Sequence, residues 1–209
     1  MTVDKKCRIC RRAGEKLFLK GDKCFTPNCI FVKKPYAPGK VASGGKRRSP
    51  ITEYGKQLKE KQKIRNTYGI REKQFSNYVS RAVLHKGSAM LNLYEQLEMR
   101  VDNVVFRLGF ASSRSLARQM VSHGHILVNG RKITIPSMQL KKGDMISVRE
   151  GSKDKKIFTE RAAYLAKHKT PVWLALSSGK MEGKIIGLPK LEEAEGVFDI
   201  ESVLEFYSR

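Results

Sequence analysis

Four cysteines, Cys7, Cys10, Cys24 and Cys29, stand within the first 29 residues of a 209-residue chain, and no other cysteine follows. Their spacing is C-x2-C, thirteen residues, then C-x4-C, which sets two close thiolate pairs at the ends of a loop. A tetrahedral four-cysteine zinc site needs that arrangement. Between the pairs, Lys16-Leu17-Phe18-Leu19 and Lys23-Cys24-Phe25 flank Lys20-Gly21-Asp22, a turn expected to fold the second pair back onto the first as a hairpin. The first histidine is His85, so a mixed Cys/His site built from local residues is excluded. Disulfides are disfavoured, because the N-terminus carries no signal-peptide pattern and a reducing compartment is expected. An iron-sulfur cluster also takes four cysteines, but the tight C-x2-C-x2-C run of common ferredoxins is missing, which leaves it the weaker alternative. Redox chemistry at Cys7-Arg8-Ile9-Cys10 would need a thioredoxin-like βαβ context that the flanking sequence lacks. One structural Zn2+ held by the four cysteines is the expectation.

The charge says what such a metal-bound segment would serve. Lys and Arg number 42 against 20 Asp and Glu, a formal net charge of +22. So large an excess points to a partner with many phosphates, since releasing counterions from a neutralised polyanion drives much of the binding of basic proteins. No apolar run approaches a membrane span and no lipid-anchor motif accompanies a basic amphipathic helix, so a membrane is not expected as partner. The length fits one to three small domains, and 40% hydrophobic residues suffice for modest cores.

The elements that must position these groups follow from pattern. Residues 33–50 mix Pro35, Pro38, Gly39, Gly44, Gly45 and Pro50 with Lys33, Lys34, Lys40, Lys46, Arg47 and Arg48, an extended basic linker that orders only against phosphates. A helix is expected from Ser49 as N-cap with Pro50 at its first position, apolar at Ile51, Tyr54 and Leu58, and ending at Gly69. Lys56, Lys59, Lys61, Lys63 and Arg65 cover much of its remainder with only Glu60 among them, so phosphate contact is preferred to a merely solvated face. A second helix repeats Phe75, Tyr78, Val79, Ala82 and Val83 and stops at Gly87. From Ser88 one longer helix is expected to carry Leu93, Leu97, Val101, Val104 and Leu108 to Gly109. Near the C-terminus, Ile200, Val203, Leu204 and Tyr207 mark the apolar face of a short helix in an acidic stretch, 191–209, expected to pack on protein.

Ser113 is a good N-cap for a helix from Arg114 to His123, with Leu116, Ala117 and Met120 inward and Arg114 and Arg118 sharing an outer face. Gly124 ends it, and His125 to Ile133 contains Asn129-Gly130, the strongest hairpin signal in the chain. That turn is expected to bring Arg131 and Lys132 back beside the helix bearing Arg114 and Arg118. A further turn at Gly143-Asp144 precedes a strand from Met145 to Val148. The pair His123 and His125 lacks a carboxylate or third ligand nearby in sequence, so helix capping and hydrogen bonding to RNA are preferred to metal or acid-base chemistry.

The run Arg100-Val101-Asp102-Asn103-Val104-Val105-Phe106-Arg107-Leu108-Gly109-Phe110, with Ser113-Arg114, Ala117-Arg118, Gly124-His125-Ile126 and Val128-Asn129-Gly130-Arg131, resembles the RNA-binding domain of bacterial small-subunit ribosomal protein four. The four-cysteine start, Lys33 to Gly39, Glu60 to Lys63, Tyr68-Gly69-Ile70 and Glu205 to Arg209 extend the resemblance over almost the whole chain. It implies an α+β fold: a helical domain (49–95, completed by 189–209) interrupted by an inserted α/β RNA-binding domain of two helices and short antiparallel strands (96–188), preceded by a zinc segment and linker (1–48). It also implies a primary binder of a helical junction in the 5′ domain of small-subunit rRNA, active early in assembly in the cytoplasm. Contact with ribosomal protein five, a place near where mRNA enters the subunit, and an influence on decoding accuracy follow from the same family. The RNA-facing set is then Ser113, Arg114, Arg118, His123, Gly124, His125, Asn129, Arg131 and Lys132, joined by Lys46, Arg47, Arg48, Lys56, Lys59 and Lys63.

Two rivals are weaker. Certain pseudouridine synthases and aminoacyl-tRNA synthetases carry a similar RNA-binding module, but no nucleophile-base pair or cofactor loop can be assembled from the flanking residues. A zinc-containing DNA regulator would need a C-x2-C-x12-H-x3-H finger or one basic recognition helix, whereas dispersed cations suit shape readout of A-form RNA.

Overall fold

A computed structural model describes residues 3–39, 50–165, 168–177, 179, 181–191 and 198–208. The chain divides into two compact units, Met1–Ser80 with Gly196–Arg209, and Arg81–Glu195.

The first unit is helical. Helix α1 (Val3–Ala13) carries Cys7 and Cys10 and ends where Gly14 takes φ +76° and donates its N–H to the Cys10 carbonyl. The turn over Gly21–Cys24 is a 3-10 helix instead of the expected hairpin, and the single-turn helix α2 (Ile30–Lys33) follows. Helical packing replaces strand pairing because Ile9, Cys10 and Ala13, at helical spacing on α1, pack with Leu17, Leu19 and Phe31 from beyond it. Helix α3 (Glu53–Tyr68) starts later than the Ser49-Pro50 reading. Thr52 is the N-cap, its hydroxyl accepting the Gly55 N–H at 3.2 Å, while Ser49 lies outside the described residues. Gly69, at φ +65°, closes α3 as expected. Helix α4 (Glu72–Leu84) follows, and the distant α10 (Ile200–Ser208) packs along α3 with Ile200 and Val203 buried.

The second unit joins helices to a small antiparallel sheet. The long helix expected from Ser88 to Gly109 is two, α5 (Ala89–Glu98) and α6 (Val101–Arg107). All five apolar positions of the expected stripe are buried, so the face is right and the continuity is not. The break serves pairing: Val101 N–H reaches the Met138 carbonyl at 3.0 Å, Leu140 N–H reaches that of Met99 at 2.8 Å, and Arg100 bridges Gln139. Arg100 is fully buried there and forks onto Asp102 at 3.0 and 2.7 Å.

Helix α7 (Arg114–Ser122) leads into strands β1 (Ile126–Val128) and β2 (Arg131–Lys132), then β3 (Met145–Val148). The single-turn α8 (Glu150–Lys153) and α9 (Lys156–Leu165) precede β4 (Leu174–Ser177) and β5 (Glu182–Ile185), which close a sheet ordered β2-β1-β3-β5-β4. Asn129 and Gly130 both take positive φ, 50° and 77°, giving the mirror-image turn that matches strand twist. The core lies between α6, α7 and the sheet, where Val104, Leu108, Ala117, Val121, Ile126, Ile146 and Ile185 are all completely buried. Gly183 makes this approach possible, since a Cβ there would stand 2.5 Å from Leu108 Cδ1 and Cδ2.

Candidate nucleic-acid interface

The start of α7 is fixed by Ser113, whose hydroxyl accepts the Leu116 N–H at 3.3 Å. Arg114 does not simply project outward. Its Nε donates to Asn103 Oδ1 at 2.7 Å and its guanidinium lies 4.5 Å from the Phe106 ring centre. Asn103 is itself oriented from below, its Nδ2 donating to the Glu98 backbone carbonyl at 3.0 Å and to Glu98 Oε2 at 2.9 Å. Arg107 completes this buried network with two 2.9 Å hydrogen bonds to the Glu98 carboxylate. Arg118, half-buried, follows one turn along α7.

At the other end of α7 the hairpin returns as expected. Lys132 lies along Gly124, where a Cβ would be 2.1 Å from Lys132 Cε. Only glycine permits that contact at φ +71°. Arg131 and Lys132 are exposed, and His123 and His125 face each other with ring centres 6.1 Å apart. His125 Nδ1 lies 2.9 Å from Ser152 Oγ, and the Arg149 N–H donates to the His125 carbonyl. Burial lowers the His125 pKa, and the charges of Lys155, His123, Arg149 and Lys132 lower it further. An electropositive knot therefore sits where helix, hairpin and α8 meet.

Asn129 has a different duty. Its Nδ2 donates to Asp144 Oδ1 and its Oδ1 accepts the Met145 N–H, both at 2.9 Å, so the amide ties β1 to β3. Sequence reasoning missed Arg149, Ser152 and Lys155 around His125, and Asn103 beneath Arg114. Only sheet register carries Arg149 next to His125, and nothing local in the sequence announces it.

The basic face expected on α3 is largely spent within the protein. Lys63 is buried between Glu15 at 2.7 Å and Glu60 at 2.6 Å. Lys61 is buried too, 2.7 Å from Glu72 and 4.4 Å over the Phe206 ring, and Arg65 reaches Glu72 at 3.1 Å. This corrects the phosphate-contact reading for Lys63, because its partner Glu15 comes from 48 residues away, beyond any i,i+4 count. Lys56 is exposed beside Glu53, and Lys59 Nζ lies near Gly14. Lys46, Arg47 and Arg48 lie outside the described residues.

None of the four cysteines is in a disulfide. Cys7, Cys24 and Cys29 line one cavity of about 340 Å³. Burial pushes the Cys10 thiol up, hydrogen bonds from the Leu17 and Leu19 amides pull it down, and the neighbouring Cys24 and Cys7 raise it. Cys24 is likewise raised, by burial first, against a hydrogen bond from the Lys20 amide, with Cys29 and Cys7 adding to the rise. Among the described residues, no group of three or more His, Cys, Asp or Glu side chains stands in metal-holding geometry. The donor chemistry nevertheless fits a soft cation: sulfurs that mutually disfavour ionisation are relieved by a positive ion, and backbone amides already point at two of them.

Two family descriptions match the chain, Ribosomal protein S4/S9 N-terminal domain over residues 2–98 and S4 domain over residues 99–146. Small ribosomal subunit protein uS4 of Solidesulfovibrio magneticus is 46% identical over 207 residues, covering 99% of this chain and 98% of its own. The same protein of Syntrophomonas wolfei is 47% identical over 99% of this chain and 98% of its own, and that of Caldicellulosiruptor bescii 48% over 97% and 96%. The chain belongs to the uS4 family. The uS4 family is a structural, non-catalytic one, which removes the RNA-modifying reading, and its S4 domain coincides with the segment from Met99 that carries α6, α7 and the hairpin. Mixed helices with a small antiparallel sheet are what that module requires.

Proposed function

We propose that this protein is a structural constituent of the small ribosomal subunit in the cytoplasm that binds rRNA, gripping a helical junction of the 5′ domain and nucleating assembly. The observation that carries the reading is the convergence of Lys132, Arg149, Lys155 and His123 about His125, one helix length from the anchored Arg114. Cations held at fixed places on packed elements read the phosphate spacing of an A-form helix without reading its sequence. In this scheme Ser113, Arg114, Arg118, His123, Gly124, His125, Arg131 and Lys132 form the contact surface, while Asn129 shapes the hairpin that presents it. Lys46, Arg47, Arg48, Lys56 and Lys59 extend the contact. Residues 96–188 act as an RNA-binding domain inserted into a helical one (49–95 with 189–209), a division supported by the return of α10 onto α3. Ribosomal protein five and mRNA near its point of entrance are the further partners that the family implies. Cys7, Cys10, Cys24 and Cys29 hold one Zn2+, which supplies rigidity to the N-terminal segment and no chemistry beyond it.

The deciding experiment is a salt-titrated competition between the 5′ domain of small-subunit rRNA and an unrelated structured RNA of equal length. Preference for the rRNA persisting at physiological salt is expected, and equal binding to both would reduce the protein to a generic polycation. In the same assay, Arg114→Gln with Arg118→Gln weakens binding and flattens its salt dependence.

A further inference from the structure

Asn129-Gly130, described so far as a turn, is also the one Asn-Gly pair in the sequence. That pair has a chemistry of its own. A backbone nitrogen that follows asparagine can attack the side-chain amide carbon, and glycine allows it best because no Cβ hinders the approach or restricts the backbone. In such a step the Gly130 nitrogen would lose its proton and bond to Asn129 Cγ, the Cγ–Nδ2 bond would break, and Nδ2 would leave as ammonia with that proton. Water then opens the cyclic imide at either carbonyl, leaving aspartate or isoaspartate at position 129. No oxidant, reductant or enzyme is needed.

The hairpin tip leaves room for this reaction. Asn129 and Gly130 are both exposed, and a Cβ built on Gly130 would meet nothing within 4 Å. What opposes it is the hold on the Asn129 amide. Nδ2, the leaving group, donates to Asp144 Oδ1 at 2.9 Å, and Oδ1 accepts the Met145 N–H at 2.9 Å. Asp144 is itself fixed in its turn. Its Oδ2 accepts the Lys141 N–H at 2.7 Å, its own N–H donates to the Lys141 carbonyl at 3.1 Å, and its carbonyl accepts the Ile185 N–H at 3.1 Å. An amide tied at both ends cannot swing its carbon to the Gly130 nitrogen without giving up its bonds, and intramolecular attack depends steeply on such geometry.

We propose that Asn129 is a self-modification site, an asparagine poised to form a succinimide and restrained by Asp144, which converts only in molecules whose hairpin has come away from β3. The change is one-way. Aspartate at position 129 would replace the Nδ2 donor by a carboxylate oxygen facing that of Asp144, and like charges at that distance repel. Isoaspartate would add a main-chain carbon to a two-residue turn and disturb the register that presents Arg131 and Lys132. A converted molecule cannot re-form both ties to the β3 turn and is marked permanently. This inference goes beyond the rRNA-binding reading and does not depend on it.

The test follows the mass of the peptide containing residue 129 in the free, full-length protein, incubated at mildly alkaline pH, with the urea-unfolded chain as the unrestrained reference. Folded wild type is expected to convert far more slowly than the unfolded chain. Losing a hydrogen bond to an ionised acceptor shifts a local opening equilibrium by roughly tenfold, so Asp144→Ala is expected to convert about ten times faster than wild type. Asp144→Asn keeps an oxygen acceptor at the same place, is expected to fall between the two, and serves where the alanine variant does not fold. Unfolding midpoints near that of wild type show that the variants compared remain folded. Wild type converting as fast folded as unfolded would overturn the restraint, and so would folded Asp144 variants that convert no faster than wild type. An unfolded chain left intact at residue 129 would overturn the site itself.

Discussion

His125 is a half-buried imidazole set among cations, and its proton affinity is depressed from the ordinary 6.5, by burial first and then by Lys155, His123, Arg149 and Lys132. The folded protein then binds fewer protons than the unfolded chain. Its contribution to stability is complete above pH 6.5 and is lost as pH falls through that value toward the lower folded one. On the proposed contact, bound phosphate would reverse the field at the ring, so RNA binding should take up a proton and strengthen as pH falls over the same range. Denaturation midpoints and rRNA affinities measured across that window should therefore move in opposite directions, and His125→Gln should flatten both. Affinity that ignores pH while stability responds would place the ring away from the RNA. Much at this scale was legible from the sequence because its causes are local: Ser113 caps α7, Gly69 ends α3, and Asn129-Gly130 makes its turn from the two residues' own backbone preferences. The return of Lys132 toward α7 follows from that turn, whereas its contact with Gly124 was not legible.

Among the elements, α3 departs furthest from its sequence pattern. Read alone it is a basic rod, yet Lys63 sits in a carboxylate pair and Lys61 under an aromatic ring. Charge counting along one helix cannot see Glu15, Glu72 or Phe206, which arrive from elsewhere in the chain. Lys63→Ala strips a buried cation from Glu60 and from the half-exposed Glu15, and urea unfolding should show a loss of roughly 1–2 kcal/mol. The salt slope of rRNA binding should stay as it was. A flattened slope with stability intact would return Lys63 to the RNA surface. The break between α5 and α6 was hidden for a related reason. Its stripe of apolar residues continues without interruption, and only the pairing of residues 99–102 with 136–140 turns the backbone at Arg100. Hydrophobic periodicity reports which face is buried and is blind to a one-residue change of direction that a non-local strand imposes. Strands β4 and β5 escaped notice likewise, since each is four residues long and is held by a neighbour in the sheet.

For the whole molecule, the net charge of +22 forecast the class of partner, and family membership agrees with it. The charge is partitioned: some cations are consumed in holding the helical unit together, and others gather at α7 and the hairpin. Zinc is tested on the intact protein. Purified under reducing conditions, it should contain one zinc per chain. Chelation, or Cys7→Ser with Cys10→Ser, should abolish that stoichiometry and raise hydrogen exchange in the segment from α1 to α2, leaving the core of the sheet protected. A double variant that still carries one zinc per chain would sink the four-cysteine assignment.

The docking of α10 on α3 has a further consequence during synthesis. Gln57 and Glu205 bond across 148 residues, and Tyr207 donates to Glu72 across 135. The entire second unit is translated between these partners, and it can fold while α3 still waits for its mate. Until α10 emerges, Lys61 lacks the Phe206 ring above it, so the nascent chain displays more naked cationic helix than the finished protein does. A chain interrupted just before α10 would thus leave translation with a formed sheet and an open helical unit in which Lys61 keeps Glu72 but lacks its aromatic cover.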